Sequence, residues 1–242
     1  EPVFAQMVGA ALGVPYDRVR LARGDTATIA RGGGTGGSSS TIISGTTLKR
    51  AADNVIVKGR ALAAELLEAA PADIVYRAGA FEGVGTDRRV GLFEVAAHAE
   101  ANGRQLDASG DFVDKVESWS TGVMVCEVDV DPETGAVRID RFAAAADVGT
   151  IINPLLLAGQ IHGGIAPGIG QALLEDAVYD RDSGQLLAGS WMDYGMPRAD
   201  DLPALRVATF NTPSTNNALG IKGVGELPTN GAPAAVANAL VD

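Results

Sequence analysis

Residues 123–142 read Val123-Met124-Val125-Cys126-Glu127-Val128-Asp129-Val130, then Asp131-Pro132-Glu133-Thr134-Gly135-Ala136, then Val137-Arg138-Ile139-Asp140-Arg141-Phe142. Runs rich in β-branched residues flank an Asp-Pro…Thr-Gly turn signal, so the stretch predicts a β-hairpin over Val123–Val130 and Val137–Phe142. Shortly after it, Asn153-Pro154 supplies an N-cap and a first helical residue for a helix through Leu157, Ile161 and Ile165 to Leu174. Gly159, Gly163, Gly164, Gly168 and Gly170 weaken that helix in isolation and point to close backbone approach along it. Strands and helices drawn from separate stretches predict an α+β class with mixed sheets and packed helices.

Toward the N-terminus, Phe4, Met7, Val8, Ala11 and Leu12 recur at helical spacing and stop at Gly13. Val19–Ala22 reads as a short strand. A run of almost no side-chain bulk follows, Arg31-Gly32-Gly33-Gly34-Thr35-Gly36-Gly37-Ser38-Ser39-Ser40-Thr41, and feeds a helical pattern through Leu48, Ala52, Val55, Leu62 and Leu66. Pro71 to Ala80 reads as a strand and Leu92 to Ala101 as a helix. Toward the C-terminus, strands are expected over Ala177–Leu187 and Leu205–Phe210, and a last helix from Pro228 to Val241. The expected organisation is one domain, or two sub-lobes over 1–118 and 119–242.

With 242 residues, 46% of them hydrophobic, the chain can bury a sizeable core. Its net charge of -11, from 30 acidic and 19 basic residues without a basic run, argues against a nucleic-acid partner. No stretch approaches the roughly 18 continuous apolar residues of a membrane span, and no basic flank with an apolar signal core opens the chain. Cys126 is the single cysteine, which excludes an intrachain disulfide, and with two histidines gives no protein-built zinc or iron–sulfur cluster. A reducing cytoplasm is the default location. Both ends read as cut, so a fragment is expected.

Three segments carry candidate chemistry. The glycine run can be an anion cradle, since glycines let backbone N–H groups approach a phosphate and a helix N-terminus adds partial positive charge; a flexible linker is the alternative. Gly32, Gly34 and Gly37 also satisfy a dinucleotide G-x-G-x-x-G spacing, with Asp53 as a candidate ribose ligand, but Asp53 falls inside the following helix pattern. Glu226 stands in Lys222-Gly223-Val224-Gly225-Glu226-Leu227-Pro228, where partial burial would suit a general base; a first-turn carboxylate favoured by the helix dipole is the plainer reading. Gln160 carries an amide that can donate and accept, or is simply a surface residue. His98 and His162 read as ordinary polar residues, and Cys126 as a small core residue.

Taken together, Phe4-Ala5-Gln6, Gly34-Thr35-Gly36-Gly37-Ser38-Ser39-Ser40-Thr41, Asp147-Val148-Gly149 with Ile152-Asn153-Pro154, Gly159-Gln160-Ile161-His162-Gly163-Gly164, Gly168-Ile169-Gly170-Gln171-Ala172-Leu173, Met192-Asp193-Tyr194 and Lys222-Gly223-Val224-Gly225-Glu226 resemble the molybdenum-binding large subunit of the xanthine dehydrogenase/aldehyde oxidase family. The aerobic carbon monoxide dehydrogenase-like branch fits best, the match spans nearly the whole chain, and it corresponds to most of the C-terminal half of that subunit, a C-terminal portion of the molybdopterin-binding domain. The chain departs from the family pattern at Ser39, where arginine is usual, at Pro167, where glutamine is usual, and at Leu227-Pro228.

The resemblance implies an oxidative hydroxylase acting on an aldehyde, an N-heteroaromatic or a similar small molecule. It implies that Glu226 matches the catalytic glutamate, which takes the proton of a molybdenum-bound hydroxyl. Gly36, Gly37, Ser38, Ser39, Ser40, Thr41, Gln160 and Gly225 fall in segments that hold molybdopterin cytosine dinucleotide. Electrons would leave through an iron–sulfur subunit carrying [2Fe–2S] clusters and a FAD subunit, in a dimer of heterotrimers. The loop that marks a copper-bearing carbon monoxide site lies outside the matched segments. A nicotinamide-dependent dehydrogenase and a cofactor-less homologue that serves only as a scaffold are the competing readings.

Overall fold

A computed structural model describes residues 2–29, 32, 34–110 and 118–242, so Arg31 and Gly33 of the glycine run lie outside the described residues. The chain divides into two compact units, 1–116 and 117–242.

In the first unit, helix α1 (Pro2–Leu12) ends at Gly13, whose φ of 59° is the left-handed conformation that glycine adopts without strain. The glycine run leads into α2 (Ser40–Leu67), and α3 covers Leu92–Ala101. Between α2 and α3 lies an antiparallel meander, β1 (Ile74–Arg77), β2 (Ala80–Gly83) and β3 (Arg89–Gly91). The expected strand from Pro71 to Ala80 is therefore shorter than its sequence pattern. Pro71–Asp73 form a 3₁₀ turn, and Ala78 and Gly79 take positive φ to reverse the chain, so Ala80 already belongs to the returning strand. No strand forms over Val19–Ala22: among the described residues that segment has no ladder partner, and an extended run without one is not a strand. The core of this unit brings Leu62, Ala63 and Leu67 of α2 together with Phe81 and Val95. Gly59 makes room for it, since a Cβ there would stand 2.5 Å from Cζ of the fully buried Phe81.

In the second unit, β4 (Thr121–Val130) and β5 (Val137–Asp147) form the expected hairpin, and β6 (Leu205–Phe210) adds to β5 in parallel. Asp131 builds the turn. Its Oδ1 accepts from Glu133 N at 2.8 Å, its Oδ2 accepts from Thr134 Oγ1 at 2.7 Å, and Gly135 turns at φ 73°. A bulge opposite Glu127 and Val128 inserts Asp140, which is why Ile139 and Phe142 both face inward despite odd spacing. Ala177–Leu187 was expected to be a strand but forms only an isolated bridge between Tyr179 and Leu186, because Asp180–Gln185 is occupied by a turn in which Gly184 N donates to Asp180 O.

Helices α4 (Pro154–Leu173) and α5 (Leu227–Val241) pack with this sheet, burying Phe142, Ile161, Ile165, Ile169 and Val236. Asn153 caps α4 by accepting from Leu156 N at 3.0 Å, with Pro154 in the first turn. Pro167 does not interrupt the helix, which runs through it with that residue on the exposed side. Among the described residues no helix is long and apolar enough to cross a membrane.

Candidate functional site

The glycine segment of the first unit ends in a helix N-terminus that no side chain caps. Gly34 and Gly37 turn at φ 71° and 57°, and Ser38 is held in the same left-handed region at 53°. A Cβ placed on Gly32, Gly34, Gly36 or Gly37 would meet nothing within 4 Å, so these glycines keep space open beside the backbone. Ser39 Oγ donates to Gly36 O at 2.8 Å and folds the segment onto the helix start. Its hydrogen is thereby committed within the loop. Ser40 differs: its Oγ is shielded from solvent and finds no hydrogen-bond partner among the described residues. An unpaired buried hydroxyl beside the first-turn N–H groups of a 28-residue helix suits a phosphate oxygen, which would satisfy both. Thr41 lies half-buried in the same turn.

A dinucleotide-binding dehydrogenase needs a strand leading into such a loop and an acidic residue at the end of the next strand. Among the described residues neither is present. Asp53 sits well inside α2 and accepts from Lys49 Nζ at 2.8 Å. The spacing of Gly32, Gly34 and Gly37 is thus a consequence of the glycine run.

In the second unit, Glu226 is the residue that precedes α5, and its carbonyl accepts from Asn230 N at 3.1 Å. The expected partial burial is not seen: the residue is exposed, because burial at this end of α5 falls on Pro228, one of the fully buried side chains. Pro228 packs on α4 at Gly164, where a Cβ would stand 2.9 Å from the proline Cβ, and Thr229 Oγ1 donates to Gly164 O at 2.9 Å. Gln160 lies exposed on the same helix one turn before Gly164. The start of α5 and the glutamine-bearing stretch of α4 are therefore joined through glycine, proline and threonine.

The N-terminal side of the Glu226 loop is also fastened. Lys222 N donates to Val148 O at 2.9 Å, and Ile221 bridges Gly149. Lys222 Nζ meets Asp147 Oδ2 at 2.9 Å, while Asp147 Oδ1 accepts from Gly149 N and Thr212 N, each at 3.1 Å. The lysine ammonium, with the two backbone donors, holds the Asp147 carboxyl far below the usual carboxylate range. Both residues stand in quoted motifs, yet the sequence alone assigned them nothing. A lysine next to glycine and valine, and an aspartate after four alanines, are the signals that could have marked a shielded pair.

The other candidates are plain. Burial pushes the Cys126 thiol up, reinforced by the Glu127 charge, so it is a poor nucleophile. His98 lies beside Glu65 at 3.4 Å, and His162 is exposed along a groove of about 320 Å³ lined by Ile151, Leu157 and Val207. Among the described residues no group of three or more histidine, cysteine or acidic side chains could hold a metal ion.

Residues 1–203 match the model of the molybdopterin cofactor-binding domain. The 6-hydroxypseudooxynicotine dehydrogenase complex subunit gamma of Paenarthrobacter nicotinovorans is 36% identical over 100% of this chain and 31% of its own length. The carbon monoxide dehydrogenase large chain of Hydrogenophaga pseudoflava is 33% identical over 100% of this chain and 31% of its own. Among solved structures, reconstituted CO dehydrogenase from Oligotropha carboxidovorans superposes with a TM-score of 0.89 at 31% identity, covering 100% of this chain and 31% of that one. Quinoline 2-oxidoreductase from Pseudomonas putida 86 gives 0.86 at 37% identity, over 99% and 31%. The chain thus spans about a third of the length of these relatives. A family model that matches most of the chain, together with relatives that align along the whole of it, leaves one assignment: the chain belongs to the molybdopterin cofactor-binding domain family.

Proposed function

We propose that the chain is part of the large subunit of a molybdenum hydroxylase and that Glu226 is its general base. The observation that carries this reading is a carboxylate presented on a short loop fastened on both sides, by Lys222 to the end of β5 and by Pro228 and Thr229 to α4. When bound, the molybdenum cofactor supplies the two-electron redox chemistry of the hydroxylation. Glu226 holds and moves the proton: its carboxylate accepts one as the new carbon–oxygen bond of the product forms, and an exposed position lets it hand that proton to water. Glutamate reaches one methylene further than aspartate from the same backbone, so the side chain length is part of the role.

The glycine loop and the first turn of α2 are assigned to the cofactor's pyrophosphate, in the cytosine dinucleotide form. Gly36 and Gly37 leave the backbone open, Ser40 Oγ offers its unused hydrogen, and Ser38, Ser39 and Thr41 shape the turn. Gln160 and Gly225 are assigned to the same cofactor. The substrate class is an N-heteroaromatic, an aldehyde or a similar small molecule, an assignment that the nicotine-, quinoline- and carbon monoxide-related names of the relatives support. Electron exit through [2Fe–2S] and FAD subunits, a dimer of heterotrimers and a cytoplasmic location complete the proposal.

Glu226→Gln in the complete subunit, matured with its partners, tests the base. Turnover is expected to fall by about 10²–10⁴-fold, the range in which a positioned general base contributes. Molybdenum content is expected to stay unchanged. Activity retained at the wild-type level sinks the role.

A further inference from the structure

Among the described residues most charged pairs are solvent-exposed, as in Arg138–Asp129, whose side chains remain 66% and 68% exposed. The Asp147–Lys222 pair is different, at 19% and 13%. Withdrawing two charges from water is costly unless the geometry and the remaining hydrogen bonds compensate. Here they do, because every carboxylate oxygen of Asp147 is engaged: Oδ2 by Lys222 Nζ, and Oδ1 by the amides of Gly149 and Thr212. Gly149 is part of the construction. It turns at φ 65°, and a Cβ there would collide first with the Gly220 carbonyl oxygen and stand 3.2 Å from both Cγ and N of Lys222, so the glycine lets the 220–222 backbone come close and leaves room for the lysine stem. Asn217 secures the preceding residue: its Oδ1 accepts from Ile221 N at 3.1 Å and its Nδ2 donates to Ile221 O at 2.8 Å. Lys222 thus ends a rigid segment, and four residues later stands Glu226.

We propose that Asp147 and Lys222 are positioning residues, whose ion pair fixes the path of residues 223–226 and so the place at which the Glu226 carboxylate is presented. This rests on the reading of Glu226 as the base. The physical need is clear from the loop itself. Gly223 and Gly225 lie between Lys222 and Glu226 and leave the backbone there little intrinsic preference, so the fastened ends of the loop set its path. A shift of the anchored end moves Glu226 with the loop, and a displacement of about 1 Å at a reacting group can cost around a hundredfold in rate. A buried charge pair is a directional anchor, since removing either partner strands the other charge in a shielded place.

The test uses the complete holoenzyme purified with its partner subunits, in four forms beside the wild type: Asp147→Asn, Lys222→Met, Lys222→Arg and Glu226→Gln. Quinoline and benzaldehyde serve as probe substrates with a dye acceptor, and hydrogen exchange is followed on the peptide covering 219–230. For Asp147→Asn and Lys222→Met, kcat is expected to fall roughly 10–100-fold, the cost of a misplaced group, with KM and molybdenum content unchanged. Lys222→Arg is expected to recover most of kcat, and exchange at 223–227 to quicken at least tenfold in Asp147→Asn. Asp147→Asn is the mild variant, keeping an oxygen for the two amides, and decides the matter if Lys222→Met does not fold. Wild-type kcat and wild-type exchange in Asp147→Asn, with Glu226→Gln inactive, overturn the positioning role and leave the base standing. Loss of molybdenum in step with kcat also overturns it, in favour of cofactor retention. An active Glu226→Gln removes the base reading instead, and the exchange result then reports on the anchor alone.

Discussion

Glu65 owes its strongly acidic carboxyl to partners, first to Arg104, whose two guanidinium nitrogens donate to it at 2.7 and 2.6 Å, and next to His98. These hold its pKa at about 2, below the ordinary range. The folded state is the one that depresses it, so the stabilisation is present above the unfolded carboxylate pKa and disappears as pH falls through about 2. Arg104→Met is therefore expected to be less stable than the wild type at pH 6, with the gap closing toward pH 2, as followed by denaturant unfolding. A gap of equal size at pH 2 contradicts this. The pair is half exposed, so the effect is small and shrinks in high salt. At Asn153 the sequence already named the cap, and Asn153→Ala should cost about 0.5–2 kcal/mol, the usual value of a lost N-cap, measured by the same unfolding.

Between elements, the contact of α4 with α5 depends on absent side chains. Gly164→Ala places a Cβ 2.9 Å from Pro228, and the proline belongs to a helix start with little freedom to withdraw. A loss of about 1–3 kcal/mol is expected, the ordinary cost of overpacking, visible as a lowered melting temperature; an unchanged one means that α5 can shift. The glycines along α4 read in the sequence as close approach, and three of them meet it, Gly164 at Pro228, Gly168 at Ala232 and Gly170 at Pro197, whereas Gly159 and Gly163 lie on the exposed side and face open space. The hairpin, the capped helix and the parallel-paired Leu205–Phe210 segment were legible because each carries a local signal: a turn, a cap, an alternation. The meander of the first unit was not, since strands of three and four residues are defined by their partners and not by their own pattern. Val19–Ala22 shows the reverse, a strand-like composition with nothing to pair with. For Glu226 the sequence offered a candidate but not its environment. Its exposure, and the Asp147–Lys222 anchor beneath its loop, come from residues 75 positions apart that no spacing rule connects.

Across the whole chain, the two units carry different parts of the proposed chemistry, an anion cradle at the start of α2 in one and a fastened carboxylate before α5 in the other. In a chain with a net charge of -11, the proposed cradle is a local feature that would use backbone amides and the Ser40 hydroxyl. Such a site suits a single phosphate group. The most direct measurement is metal and nucleotide analysis of the full-length subunit purified with its native partners. Molybdenum and acid-released CMP are expected in about equal amounts, close to one of each per polypeptide. Neither molybdenum nor CMP in a properly matured preparation would contradict the assignment and favour a scaffold without cofactor.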